Sequence, residues 1–217
     1  MRKLSVICLL LMIGTISAQA IKYGVTGSVH RGSMAGIHNA SKANWGGTVG
    51  FFADIAIVPN DVYDSAWLYL TPQLEVNTAG ERASWDESDN LQKYNNTYIA
   101  VPVYLKYYMR NHGYKGDLYF MVGPKFEFLV SDNTNEGDAI AKATAQGFDP
   151  AKFGLGFKPD SFGYGVSAKV GVMVNQKWDV FLRFDRGLSK VYKDYTVANT
   201  YNRFLALGLS YYIGETN

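Results

Sequence analysis

The stretch Thr97-Tyr98-Ile99-Ala100-Val101-Pro102-Val103-Tyr104-Leu105-Lys106-Tyr107-Tyr108-Met109-Arg110 separates into two sets when read by parity. Odd positions give Thr97, Ile99, Val101, Val103, Leu105, Tyr107 and Met109; even positions give Tyr98, Ala100, Pro102, Tyr104, Lys106, Tyr108 and Arg110. A period of two is that of a β-strand, whose successive side chains point to opposite faces. One face is apolar throughout, whereas the other mixes charge, aromatic rings and small residues. Such a strand fits between a greasy medium and a polar interior.

The same reading extends to both sides. Leu118, Phe120, Val122, Pro124, Phe126, Phe128 and Val130 alternate with Asp117, Tyr119, Met121, Gly123, Lys125, Glu127 and Leu129, and the pattern recurs in Leu205, Leu207, Leu209, Tyr211 and Ile213. Eight segments are predicted, at Ile21 to Arg31, Trp45 to Val58, Trp67 to Val76, Asn95 to Arg110, Asp117 to Val130, Ser161 to Val174, Trp178 to Leu188 and Asn202 to Ile213. Their apolar faces are expected to carry a single charge, Arg186, near a strand end. A charge facing lipid costs a few kcal/mol at mid-bilayer and little at the interface.

Connections alternate in length. Pro59 to Ala66, Asn111 to Gly116 and Asn175 to Lys177 are short, whereas Gly32 to Asn44, Asn77 to Tyr94, Ser131 to Asp160 and Ser189 to Tyr201 are long. The expected fold is all-β, a closed up-and-down antiparallel transmembrane β-barrel of eight strands with short periplasmic turns and long extracellular loops. Closure follows because each unpaired backbone group in hydrocarbon costs several kcal/mol, which forbids a free sheet edge. Pro72, Pro102 and Pro124 each remove a ladder donor, so bulges or a locally opened ladder are expected near them. A short helix is expected around Asp138 to Gln146.

Residues 1–20 read as a secretory signal peptide: Arg2 and Lys3, an apolar run from Leu4 to Ile16, then Ala18-Gln19-Ala20. The remaining 21–217 form one outer-membrane barrel domain. No other stretch approaches the ~20 apolar residues of a membrane helix. The only cysteine, Cys8, lies in the leader, so a chain without it has no thiol for a disulfide or a metal. Without Arg2 and Lys3, 19 Lys+Arg balance 19 Asp+Glu. That neutrality gives no basis for a nucleic-acid partner.

The run Tyr98-Ile99-Ala100-Val101-Pro102-Val103-Tyr104-Leu105-Lys106-Tyr107, the Val122-Gly123-Pro124 of the next segment, Phe162-Gly163-Tyr164-Gly165 after a long loop, and Phe184-Asp185-Arg186-Gly187-Leu188-Ser189 together resemble the PorT-like outer-membrane β-barrel family of Bacteroidetes. The resemblance covers essentially the whole chain after the leader, through short structural motifs. It implies a porin-like barrel of the bacterial outer membrane and carries over no catalytic or ligand residues.

The inward faces collect Lys22, Asp54, Glu75, Lys106, Arg110, Lys125, Glu127, Lys169, Arg183 and Asp185. An eight-stranded lumen is filled by side chains, so these residues are expected to pair into a charge network that plugs it. Hairpin geometry places Lys169 beside Arg183, a pair expected to need Glu127 or Asp185 between them. Tyr23, Trp45, Trp67, Tyr107, Trp178 and Tyr211 near strand ends are expected to form interfacial girdles. His30 and His38 fall near the extracellular end and His112 at the opposite one, so they cannot share a metal, and neither metal nor cofactor is expected. No Gly-x-Ser-x-Gly elbow occurs, and the Gly-x-Gly pairs at Gly154 and Gly163 lack the context of a nucleotide site.

The expected function is therefore non-enzymatic. The plugged barrel sits in outer-membrane lipid and presents its extracellular loops, 77–94 and 131–160, to an extracellular or envelope protein in binding, adhesion or envelope integrity. The rival readings are a small porin-like channel, a soluble secreted ligand-binding barrel with its faces reversed, and a lipid-modifying enzyme using loop residues such as His38, Asp86 and Ser88.

Overall fold

The alternating segments become strands because each buries one parity and leaves the other outside. In the computed structural model, which describes residues 21–35, 42–59, 66–84, 91–109, 115–135, 139–153 and 155–216, the strands are β1 (Ile21–Ala35), β2 (Lys42–Pro59), β3 (Ala66–Ser84), β4 (Leu91–Tyr108), β5 (Leu118–Asn135), β6 (Phe162–Met173), β7 (Trp178–Gly187) and β8 (Tyr201–Thr216). Each pairs antiparallel with its sequence neighbour, and β1 closes on β8 to complete the barrel. The leader segment 1–20 lies outside the described residues, as do Arg110, His38, His112, Asp86 and Ser88.

The apolar parity faces outward. Val122 is 60% exposed, and Phe51, Leu74, Phe120, Leu182 and Leu209 are exposed with it, while Thr71, Glu75, Lys106 and Arg183 are buried. A water-soluble barrel requires the reverse, so the soluble reading is overturned. Among the described residues no helix is long and apolar enough to cross a membrane. Rings mark the two interfaces: Trp67 meets Tyr107 at 5.8 Å and Trp178 meets Tyr211 at 4.7 Å at the short-turn end, and Trp45 stands 67% exposed at the other.

Two segments expected as loops are largely strand. β1 runs to Ala35 and β2 starts at Lys42, while β3 runs to Ser84 and β4 starts at Leu91. Thr78 pairs with Thr97, Gly80 with Asn95 and Arg82 with Lys93. The apolar alternation stops where lipid stops, but the backbone ladder continues into water, since Thr and Asn serve it equally well. The loop between β5 and β6 holds a short helix, α1 (Ala139–Ala145), inside the expected range, with Ala139 and Ala143 packed on Leu155.

The prolines open the ladder without shifting it. Partners run Pro102 to Lys125 and resume at Leu105 to Val122, skipping Val103, Tyr104, Gly123 and Pro124 in unchanged register. A similar gap follows Pro72. The register shifts lie elsewhere, between Tyr23 and Gly24, near the ends of β2, and between Thr97 and Tyr98.

Short turns are held locally. Asn175 Oδ1 accepts from the backbone N–H of Lys177 at 2.8 Å and of Trp178 at 2.9 Å, an Asx turn between β6 and β7. Gly116 precedes β5 with φ +83°, in the left-handed region that glycine adopts freely.

Inward glycines make room for rings opposite them. Tyr119 pairs with Gly171 and Phe181 with Gly208. A Cβ at Gly208 would lie 2.3 Å from Phe181 Cζ and 2.6 Å from the Gly27 carbonyl oxygen. The ring can turn but the strand backbone cannot. Gly208→Val is expected to lower stability by about 1–3 kcal/mol through overpacking, read as a lower urea midpoint for the barrel in lipid vesicles.

Candidate functional site

Inward parity brings charged side chains from six strands into the lumen, where they meet in three tiers. At the short-turn end Lys106 Nζ donates to Asp54 Oδ2 at 2.8 Å and to the Tyr212 hydroxyl at 2.5 Å. Asp54 also accepts from Tyr212 at 3.1 Å and from Thr71 Oγ1 at 2.6 Å. The ammonium sits over the rings of Tyr108, Tyr119 and Tyr212, 4.6–5.2 Å from their centroids, so cation–π attraction adds to the ion pair.

Arg183 anchors the middle tier and is 1% exposed. Its Nε and Nη2 grip Asp185 at 2.7 and 2.8 Å, and Nη1 reaches both oxygens of Glu75 at 2.9 and 2.8 Å. Ser167 Oγ donates to Asp185 at 2.5 Å and lies 2.7 Å from the Tyr104 hydroxyl. Lys169 Nζ donates to Gln73 Oε1 at 2.8 Å, lies 3.9 Å from Glu75, and rests over Tyr104 and Phe181.

Above them Lys125 Nζ bridges Asp185 and Glu127, each at 2.6 Å, and Asn77 Nδ2 donates to Glu127 at 3.0 Å. His30 stacks on Phe204 with ring centroids 4.3 Å apart, and its Nε2 donates to the Thr78 carbonyl at 2.6 Å. Beside this tier a cavity lined by Lys125, Glu127, Asp185 and Phe204 measures about 10 Å³, room for about one water molecule.

The arrangement brings together Asp54, Glu75, Lys106, Lys125, Glu127, Lys169, Arg183 and Asp185, and leaves out Lys22. Lys22 lies at the barrel rim, partly exposed and 4.0 Å from Glu215, because β1 begins there and no further tier lies below it. Lys169 and Arg183 are register partners, but the carboxylate against both is Glu75, not Glu127 or Asp185. Asp185 serves Arg183 and Lys125 instead, and Glu127 serves Lys125. His30 is buried against Phe204.

Several members carry no sequence signal except parity. Asp179 is buried on the face of β7 that bears Arg183 and Asp185, and reading every second residue from Arg183 finds it. Gln73, Ser167, Tyr104 and Tyr212 share their strands' inward parity likewise, but nothing in their identity separates them from other lumenal residues.

The mouth at the long-loop end is covered. Val191, Tyr192 and Tyr195 of the loop between β7 and β8 pack on Met34 and Tyr94. The loop is tied down by Val191 N–H to the Thr200 carbonyl at 2.8 Å, by Asp160 N–H to the Val191 carbonyl at 2.7 Å, and by a Lys193–Asp160 ion pair. Chemically, charges so tightly paired act as cross-links. Lys106, Lys125 and Arg183 each hold a carboxylate at hydrogen-bond distance, and Lys169 lies 3.9 Å from Glu75. Among the described residues no group of three or more His, Cys, Asp or Glu could hold a metal ion.

The family described as outer membrane protein beta-barrel domain matches residues 17–193. A search of curated proteins found no match. Among solved structures, Neisserial surface protein A is similar with 13% identity over 87% of this chain and 96% of its own, TM-score 0.45. OprG, an outer membrane protein of Pseudomonas aeruginosa, is similar with 11% identity over 90% and 95%, TM-score 0.45. Ail, the attachment invasion locus protein of Yersinia pestis, solved with the heparin analogue sucrose octasulfate, is similar with 9% identity over 89% and 99%, TM-score 0.42. The family match spans most of the chain, which forms a closed eight-stranded barrel with a lipid-facing apolar exterior: the chain belongs to the outer membrane protein β-barrel domain family of bacterial outer-membrane proteins.

Proposed function

We propose that this chain is a non-enzymatic outer-membrane barrel of the PorT-like type, exported by a cleaved leader at residues 1–20. Its closed body holds a surface for an extracellular or envelope protein partner. The observation that carries the reading is the three-tier ion-pair network, whose members are buried from Lys106 to Glu127 across the lumen. A solute path needs mobile water beside its charges, and here the charges meet each other.

The binding surface consists of segment 77–94, whose residues 77–84 and 91–94 extend the ladder, the α1-bearing loop within 131–160, and the loop between β7 and β8 that packs over the mouth. Rigid strand ends suit recognition because little ordering entropy is lost on docking.

Planar-bilayer recording tests the closed lumen. The expected result is no steady single-channel conductance from the purified chain. Discrete steps whose size or ion selectivity changes on Lys169→Met would instead make the network a conduction path and replace this reading with the channel.

A further inference from the structure

Arg31 on β1, Arg203 on β8 and Arg186 on β7 lie on three neighbouring strands near the long-loop end, and all three are exposed on the outward face, so Arg186 is not the single outward charge expected from the sequence. Arg203 is directly opposite Arg186 in one ladder and opposite Ser33 in the other, which sets Arg31 on its diagonal. Directly opposed side chains have Cβ atoms ~5 Å apart and diagonal ones ~7–8 Å. Three guanidinium groups can thus converge on one group of phosphate size.

Opposed like charges repel, and the strands supply nothing to neutralise them. β1 and β6 contain no Asp or Glu, and the only one in β8 is Glu215, at the far end. Asp179 and Asp185 of β7 point into the lumen. Among the described residues no ion pair involves these arginines, and Arg203 Nε donates to neutral Ser33 Oγ at 3.0 Å.

Their height is that of the headgroups. Trp45 is the register partner of Arg31, and Arg186 opposes Val166, one outward step from the exposed Tyr164. Aromatic residues of this kind mark the membrane–water boundary. What meets an outward side chain there is lipid.

We propose that Arg31, Arg186 and Arg203 form a lipid-facing site for the phosphate of an outer-leaflet lipid headgroup, gripped by paired guanidinium N–H donors. Arginine's planar fork suits phosphate bidentately, and it stays charged at the interface. The site rests on the membrane location that the family gives and not on the loop-binding reading, so either can fail alone.

The test uses the full folded chain in zwitterionic detergent micelles, with native mass spectrometry counting bound lipid. The probes are phosphorylated lipid A, the same lipid enzymatically dephosphorylated, and inorganic phosphate alone. The wild type is expected to hold the phosphorylated form at least tenfold more tightly than the dephosphorylated one. The preference should shrink in Arg186→Gln and vanish in the triple variant R31Q/R186Q/R203Q, and it should persist in Lys115→Gln at the opposite end. Equal affinity of the wild type for both lipids overturns the proposal without recourse to any variant. So does an unchanged preference in the triple variant that retains its heat-modifiable folded mobility, or displacement of the lipid by inorganic phosphate at low millimolar concentration.

Discussion

Arg183→Met is expected to lower barrel stability by about 3–5 kcal/mol, because removing one partner of a buried ion pair strands the other charge. Here two carboxylates are stranded at once. Glu75 would keep Lys169 at 3.9 Å, and Asp185 would keep Lys125 at 2.6 Å, which argues for the lower part of that range. Adding Glu75→Gln should recover a large share of the loss, since the uncompensated charge disappears with its partner. Equilibrium unfolding in urea from lipid vesicles gives both numbers, and the double-mutant cycle gives their coupling. A single-variant cost under about 1 kcal/mol would mean that the lumen is wet and the pair screened, and the closed-body reading would fall with it.

Leu207→Arg is expected to cost about 2–4 kcal/mol, the depth-dependent penalty for a cation on the lipid face at mid-bilayer. Leu207 is 54% exposed, faces outward beside Val29 and Leu182, and lies midway between Arg203 and Tyr211 on β8. The same change at Leu188, just past the end of β7, should cost about 0–1 kcal/mol. On a water-facing wall both would stay within about 0.5 kcal/mol. The difference between the two positions, measured in the same vesicles, therefore reads membrane depth directly and is insensitive to general loss of foldability.

How far the chain could be read before its fold was seen depends on which force wrote each feature. Lipid demands an apolar residue at every second position, so β4 and β5 announce themselves through Val101, Val103, Val122 and Phe126. Water makes no such demand, and the outer reaches of β3 and β4, from Asn77 to Ser84 and from Leu91 to Tyr94, read as loop although their backbones are paired. Lumenal membership follows from parity, which gathers Lys106, Lys125, Lys169 and Arg183, all buried. Partner choice does not, because parity says which wall a side chain leaves and not which side chain it meets. Glu75 reaches Arg183 from β3, a neighbour in neither sequence nor ladder, and only the barrel's circumference and stagger determine that meeting. The cover formed by Val191, Tyr192 and Tyr195 was illegible for a related reason: an irregular segment has no period to read.

That reach across the lumen bears on how the barrel comes together. In a ring of eight strands β3 stands diametrically across from β7, and β4 from β8, so Glu75 to Arg183 and Lys106 to Tyr212 are struts spanning the full bore. No hairpin and no open sheet can make either contact. Until β1 docks on β8, an inserted intermediate carries bare charges in a low-dielectric setting as well as two raw edges. Partial structures are penalised twice and the finished ring is relieved of both costs in one step, so the assembly is braced like a spoked wheel, which gains its stiffness when the rim is joined.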